Sequence, residues 1–209
     1  MNSQPSANSQ ESDQTTIQDY LSTQNGIEQP QFDTAQPDDA FLAFVATDLS
    51  IGAYNQPNTG ADADPITMIN FDGTAQIRFP DGRVIAESSQ NAKTNEIFGI
   101  LCTVRNSFEM RKTEIVQSML FMRRILSKGR VTINPWSVSR LLIGSLILSI
   151  KVNRDDVIYN SFVAQALGVS YVRVNEWEIS TLKGLEYEVG VNIEEYTQLE
   201  QALHSALIQ

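Results

Sequence analysis

Apolar residues recur three or four positions apart in several stretches after residue 37, and this spacing is typical of helices with one buried face. The first such stretch follows Asp38 and Asp39, whose carboxylates suit the positive end of a helix dipole. Its apolar positions are Phe41, Phe44, Val45 and Leu49. The pattern predicts a short N-terminal helix that docks against a larger helical bundle.

One segment, VSRLLIGSLILSIKV at residues 138–152, is apolar on nearly every side. Asn134 followed by Pro135 predicts the helix start just before it. A helix that is hydrophobic all round belongs in a core, so we expect the other helices to surround it. Gly144, Ser145 and Ser149 would let neighbouring backbones come close.

Two further helices are predicted ahead of this central one, over about residues 94–105 and on to about residue 127. Asn106 and Glu109 resemble a capping pair at the start of the second. After the central helix, Asn160 is predicted to cap a short helix that Gly168 ends, and Ser170 to cap the next. The apolar spacing then changes to alternation from Leu185 to Val191, which predicts an extended exit.

Two further segments have recognisable patterns, one at the end of the chain and one ahead of the bundle. Asn192 is predicted to cap a last helix with its apolar face at Tyr196, Leu199, Leu203 and Leu207. Between the N-terminal helix and the bundle, ITMINF and TAQIRF flank Asp72-Gly73, a strong hairpin signal, and Pro80-Asp81-Gly82 marks a second turn. We expect a small hairpin insertion without chemistry of its own.

The charge of the chain is concentrated in its first part. Residues 1–77 hold eleven Asp or Glu and no Lys or Arg, whereas the whole chain carries −10. Residues 1–37 are rich in Gln, Ser and other polar residues and predict a disordered tail, or else a segment that docks a partner or is phosphorylated. We therefore divide the chain into this tail, residues 38–93 with the N-terminal helix and hairpin, and residues 94–209 with the bundle.

Few residues could hold a metal, because Cys102 and His204 are the single cysteine and histidine. We expect no metal, no cofactor and no disulfide, as is usual in a reducing intracellular compartment, the cytoplasm or nucleus. The longest apolar run is too short to span a bilayer, and no signal peptide is indicated. Acidic pairs such as Asp155-Asp156 and Glu194-Glu195 read as turn or cap residues, so we do not expect an enzyme.

The ordered set SRLLIGSLILSIKV, DD, YNSFVAQALGVS and VNEWEISTLKGLEYEVGV resembles the second half of a cyclin box. The motifs resemble most those of the single-box cyclins of the yeast phosphate pathway and the plant P/U type. The likeness extends weakly back to about residue 95, which is a little over half of the chain. It implies an all-α fold, a five-helix bundle around the central apolar helix with flanking N- and C-terminal helices.

The resemblance places several residues of this chain on motif positions of the family. Lys151 falls on the family's Lys and Glu178 on its Glu, with Asn160, Gly168 and Asn175 on the linking motifs. The apolar frame falls on Leu182, Leu185, Tyr187 and Val191. The chain departs from the family at Arg123, where an Asp usually makes an internal ion pair, so that pair cannot form in the usual way.

From spacing alone, Lys151 reads as a cation favoured at a helix C-terminus and Glu178 as an acid near a helix start. The resemblance implies more, since in cyclins this pair lies on the surface that receives the mobile helix of a cyclin-dependent protein kinase. Leu148, Leu182, Tyr187 and Val189 would supply the apolar surroundings of the pair. The expected protein is then a regulatory subunit in a heterodimer with that kinase.

Two other functions stay open. A cyclin-fold transcription factor would bind DNA, but a sequence pI near 4.5 disfavours the neutralisation of phosphates. A helical scaffold without a kinase partner is the other possibility. Because basic and membrane-spanning segments are lacking, we expect neither nucleic acid nor a membrane as a partner.

Overall fold

The computed structural model describes residues 34–55, 66–69, 74–78, 84–129, 131 and 133–208, and only the backbone of residues 66–88 within these ranges. An all-α bundle dominates these residues, as predicted. Its helices are α1 (Asp39–Asn55), α2 (Gln90–Phe108), α3 (Lys112–Ser127), α4 (Val138–Asn153), α5 (Asn160–Leu167), α6 (Tyr171–Gly184) and α7 (Ile193–Leu207).

Three short antiparallel strands lie between α1 and α2, namely β1 (Ile66–Ile69), β2 (Thr74–Arg78) and β3 (Val84–Ser89). The predicted hairpin corresponds to β1 and β2, in which Ile66 pairs with Arg78 and Ile69 with Ala75. The third strand was not predicted. It leads directly into α2, where Ser89 Oγ accepts a hydrogen bond of 3.1 Å from the Ala92 amide and caps the helix.

The central helix is α4, whose residues are buried on all sides over most of its length. It packs against α3 and α6. A Cβ atom at Gly144 would lie 2.1 Å from Thr181 Oγ1 and 2.7 Å from the Trp177 carbonyl oxygen of α6. Glycine is therefore what allows this approach of the two helices, and the prediction that small residues make room on α4 is confirmed there.

The turn between α2 and α3 differs from the prediction. Asn106 does not start a helix, because α2 continues to Phe108 and the chain turns at Glu109, which has a left-handed φ of 49°. The carboxylate at the start of α3 is Glu114, which accepts a hydrogen bond of 2.7 Å from the Arg111 amide. This carboxylate satisfies a free amide at the start of the helix, the role that had been assigned to Glu109.

The N-terminal helix α1 packs against α2, and Asp38 Oδ1 accepts a hydrogen bond of 2.8 Å from the Phe41 amide. The predicted disordered tail, residues 1–37, lies outside the described residues except for its last four. Two of those four are bound by the bundle. The Lys112 amide donates to the Ala35 carbonyl at 2.9 Å. Arg105 also donates to the Pro37 carbonyl, at 3.1 Å.

The last helix, α7, begins as predicted, with Asn192 Oδ1 accepting a hydrogen bond of 2.8 Å from the Glu194 amide. Its residues Tyr196, Leu199 and Leu203 are buried in the main core, whereas Leu207 is exposed. Arg124 of α3 donates to the Gly190 carbonyl at 2.6 Å and pairs with Glu195, and its neighbour Arg123 is exposed. Among the described helices, none has the length and apolar character needed to cross a membrane.

Candidate partner-binding site

Lys151 and Glu178 form a direct ion pair between the C-terminal turn of α4 and the middle of α6. Lys151 Nζ lies 2.6 Å from Glu178 Oε1. The Lys151 side chain is 32% exposed and that of Glu178 is 17% exposed. The pair therefore lies at the boundary between the core and the surface, where its charges are partly desolvated but can still be reached.

Asn160 adds a third member to this pair. It had been predicted to cap α5, but Tyr159 occupies the cap position and the Asn160 side chain is turned toward α6. Asn160 Nδ2 donates to Glu178 Oε2 and, at 2.7 Å, to Asn175 Oδ1. Both oxygens of the Glu178 carboxylate are thus held, one by Lys151 and one by Asn160, so its orientation is fixed by three helices.

The apolar residues predicted around the pair divide into two groups. Leu148, one turn before Lys151 on α4, is buried in the main core, so it supports the helix and offers no surface to a partner. Leu182 and Val189 are half-buried and pack against the same core. Tyr187 is 65% exposed and has a left-handed φ of 66° at the turn after α6. Only Tyr187 of these four presents a large exposed apolar surface.

An open cavity of about 520 Å³ lies beside the pair and is lined in part by Lys151, Asn160 and Asn175. Tyr159 and Tyr171 form further parts of its wall, and each is more than half exposed. An ammonium carries three N–H donors, and Glu178 accepts from one of them. The arrangement can therefore receive an acceptor group of a partner next to exposed aromatic surface. The two tyrosines were not identified from the sequence as site residues.

A second ion pair, between Arg154 and Glu114, lies close to the same end of α4. Arg154 Nε donates to Glu114 Oε1 at 2.5 Å and Nη2 donates to Oε2 at 2.6 Å, a two-pronged contact to a carboxylate that is 0% exposed. Nη1 donates to the Phe108 carbonyl at 2.7 Å. The hydrogen bond with Glu114 raises the pKa of the Arg154 guanidinium, against burial, which lowers it.

Sequence reasoning missed the Arg154–Glu114 pair because its members are 40 positions apart and belong to no shared local pattern. A signal did exist for Asn175 and Glu178, which are three positions apart and so share one face of α6. The acidic pairs lie where predicted, Asp155 and Asp156 in the turn after α4 and Glu194 and Glu195 in the first turn of α7. The part of the chain that is described holds no group of three or more His, Cys, Asp or Glu side chains placed to bind a metal.

Comparison with known proteins agrees with this architecture. The family model for Cyclin matches residues 81–189, which is more than half of the chain and covers the bundle from before α2 to after α6. Cyclin-P3-1 of Oryza sativa subsp. japonica is 32% identical over 81 residues, 39% of this chain. The chain spans about a third of that relative's length, since the matched part is 34% of it. Members of this family are regulatory rather than catalytic proteins, and the chain belongs to the cyclin family.

Proposed function

We propose that this cyclin binds a cyclin-dependent protein kinase and activates it by holding the kinase's mobile helix in the active position. The observation that carries the proposal is the partly exposed Lys151–Glu178 pair at the meeting point of α4, α5 and α6. By resemblance to cyclins, Lys151 and Glu178 also fall on the positions through which that family contacts its kinase. The pair does no chemistry and acts by binding.

The geometry of the pair suits the recognition of a helix. A bare lysine samples many orientations, but here Glu178 fixes the ammonium of Lys151 and Asn160 fixes Glu178. A partner group that meets this ammonium must come from a defined direction, so the partner's rotation is also defined. The exposed aromatic surfaces of Tyr159 and Tyr171 would supply apolar contact around this polar centre.

Activation follows from selective binding. A protein kinase is active when a glutamate on its mobile helix pairs with its ATP-binding lysine, which requires the inward position of that helix. A cyclin that binds only the inward state shifts the population toward it, by as much as its affinities for the two states differ. The product would be a heterodimer in which the kinase supplies all the catalytic residues.

The test uses a panel of purified cyclin-dependent kinases and the full chain. We expect at least one kinase to bind the chain and to phosphorylate a peptide substrate faster in its presence. Lys151→Ala and Glu178→Ala should each weaken that binding by about 2–5 kcal/mol, because each strands the other charge in the interface. Lys183→Ala, at an exposed lysine in the last turn of α6, is the matched control and should bind like the wild type.

Two results would replace this proposal with another function. Salt-dependent binding of the wild type to duplex DNA, without binding to any kinase, would favour a transcription factor of the cyclin fold. No binding to either would favour a helical scaffold. Wild-type affinity in both Lys151→Ala and Glu178→Ala, with their folding verified by circular dichroism, would remove the pair from the mechanism.

A further inference from the structure

A set of polar residues joins α3 to the end of α4, and we name it the polar seam: Glu114, Gln117, Asn153 and Arg154. The two residues on α3 are buried, Arg154 is largely buried and Asn153 is exposed. Glu114 and Gln117 are three positions apart and so lie on one face of α3, 0% and 4% exposed. Asn153 is the last residue of α4 and Arg154 is the one after it. Asn153 Nδ2 donates to Gln117 Oε1, while Arg154 donates two parallel hydrogen bonds to the Glu114 carboxylate.

Stability alone does not explain why polar residues occupy the polar seam. Burying a carboxylate and a guanidinium costs several kcal/mol of solvation, and well-packed apolar residues of similar volume often stabilise a fold at least as well. The seam differs from an apolar contact in its directionality. Two parallel N–H···O bonds between a planar guanidinium and a carboxylate fix both distance and rotation, whereas apolar surfaces can slide over one another.

The same helix end carries Lys151, one turn before Arg154. The structure therefore places two ion pairs at the end of α4, one reaching α3 through Arg154 and the other reaching α6 through Lys151. Arg154 also donates to the carbonyls of Phe108 and Glu109, at 2.7 and 3.1 Å, which attaches the α2–α3 turn to the same point. Any rotation of the last turn of α4 would break these directional bonds.

We infer that the polar seam is a positioning device that fixes the last turn of α4, and through it the direction in which Lys151 is presented to a partner. Arg154 and Glu114 are positioning residues in this scheme and do not contact the partner themselves. The inference about order in α4 stands on the contacts within this chain. Its consequence for binding rests on the proposed function.

The decisive variant replaces the ion pair without stranding a charge, by combining Glu114→Leu with Arg154→Met. We expect this double variant to melt at a somewhat lower temperature than the wild type, because Glu114 also accepts a hydrogen bond from the Arg111 amide and Arg154 also donates to the Phe108 carbonyl. We also expect faster hydrogen exchange at the backbone amides of residues 151–160 and an affinity for the kinase about tenfold weaker. Arg154→Lys, which keeps the charge but loses the planar fork, should fall between the double variant and the wild type in both readouts.

Arg123→Met is the control, since it removes an exposed arginine of α3 outside the seam, and it should change neither readout. Binding is compared well below the melting temperature of every variant, so that a change in stability alone does not alter it. Wild-type exchange at residues 151–160 in the double variant would overturn the inference, and so would faster exchange with unchanged affinity. If no kinase binds the wild type, the proposed function fails, whereas the exchange measurement still decides whether the seam orders this segment.

Discussion

Lys151 Nζ and Glu178 Oε1 are 2.6 Å apart although their residues are 27 positions apart in the sequence. The contact joins the end of α4 to the middle of α6, and Asn160 at the start of α5 holds the second oxygen of the same carboxylate. Three helices of the cyclin box therefore meet in one hydrogen-bonded group at the surface. We therefore expect substitutions of these residues to have coupled effects.

A double-mutant cycle tests this unit directly. Lys151→Ala combined with Glu178→Ala should weaken kinase binding by less than the sum of the two single changes, because each single change already removes the shared interaction. The free energy of unfolding should change by less than about 1 kcal/mol in each single variant, since the pair is partly exposed and screened by solvent. Titration calorimetry and urea unfolding measure the two quantities, and strictly additive binding losses would show two independent contacts.

Asn160→Ala should destabilise the fold more than the alanine variants of the ion pair do. Asn160 is 8% exposed, and its amide is the donor to both Asn175 and Glu178, so its removal leaves two acceptors without that partner. The expected loss is about 1–3 kcal/mol in the free energy of unfolding. Ser161→Ala, at the exposed neighbouring position of α5, serves as the control. Equal stability of the two variants in urea unfolding would contradict the prediction.

Gly144→Ala should separate α4 from α6. The added Cβ would lie 2.1 Å from Thr181 Oγ1 and 2.7 Å from the Trp177 carbonyl oxygen, and the backbone of a packed helix cannot move aside without cost. Overpacking of this kind typically costs about 1–3 kcal/mol. We expect a lower melting temperature together with weaker kinase binding, because the two helices carry Lys151 and Glu178. Gly99→Ala on α2, where an added Cβ meets nothing within 4 Å, should not destabilise the fold.

Two truncations test where the N-terminal tail begins to matter. Residues 34–37 precede α1, and the Lys112 amide and Arg105 side chain bind the carbonyls of Ala35 and Pro37. Removal of residues 1–33 should leave the melting temperature unchanged, as the composition of that segment predicts. Removal of residues 1–37 should lower it, because two donors of the bundle lose their acceptors. Scanning calorimetry of both truncations would refute this if the two melting temperatures agreed.

The reactivity of Cys102 should follow the charges beside it. Burial raises the pKa of the Cys102 thiol, Arg105 lowers it and Asp39 raises it. Because the thiolate is the nucleophile, alkylation should be slow at neutral pH and accelerate as the pH rises through the raised pKa. Asp39→Asn should accelerate the reaction with iodoacetamide at a fixed pH, and Arg105→Gln should slow it. The opposite order of the two rates would contradict this electrostatic account.

The sequence by itself determined the helical elements and the central position of α4. A helix with apolar residues on nearly every side can be stable only where other helices cover it, so its burial follows from local pattern alone. Local pattern also predicted the cap of α7 by Asn192 and the left-handed end of α5 at Gly168, because turn and cap geometry depends on a few adjacent residues. Local pattern did not predict the end of α2. Asn106 and Glu109 matched a capping pattern, but α2 continues past Asn106 to Phe108.

The family resemblance had already brought Lys151 and Glu178 together, but only the tertiary structure decided the other meetings of polar groups. The pairing of Arg154 with Glu114 depends on how α3 lies against the end of α4, and no short-range pattern encodes contacts across 40 positions. Asn160 shows the same limit, because as a residue type it suits a helix cap, but α6 brings Glu178 and Asn175 to its side chain and they bind it instead. Buried polar side chains need hydrogen-bond partners, and the packing of the helices determines which groups lie within reach of them. The partners are therefore a property of the assembled bundle.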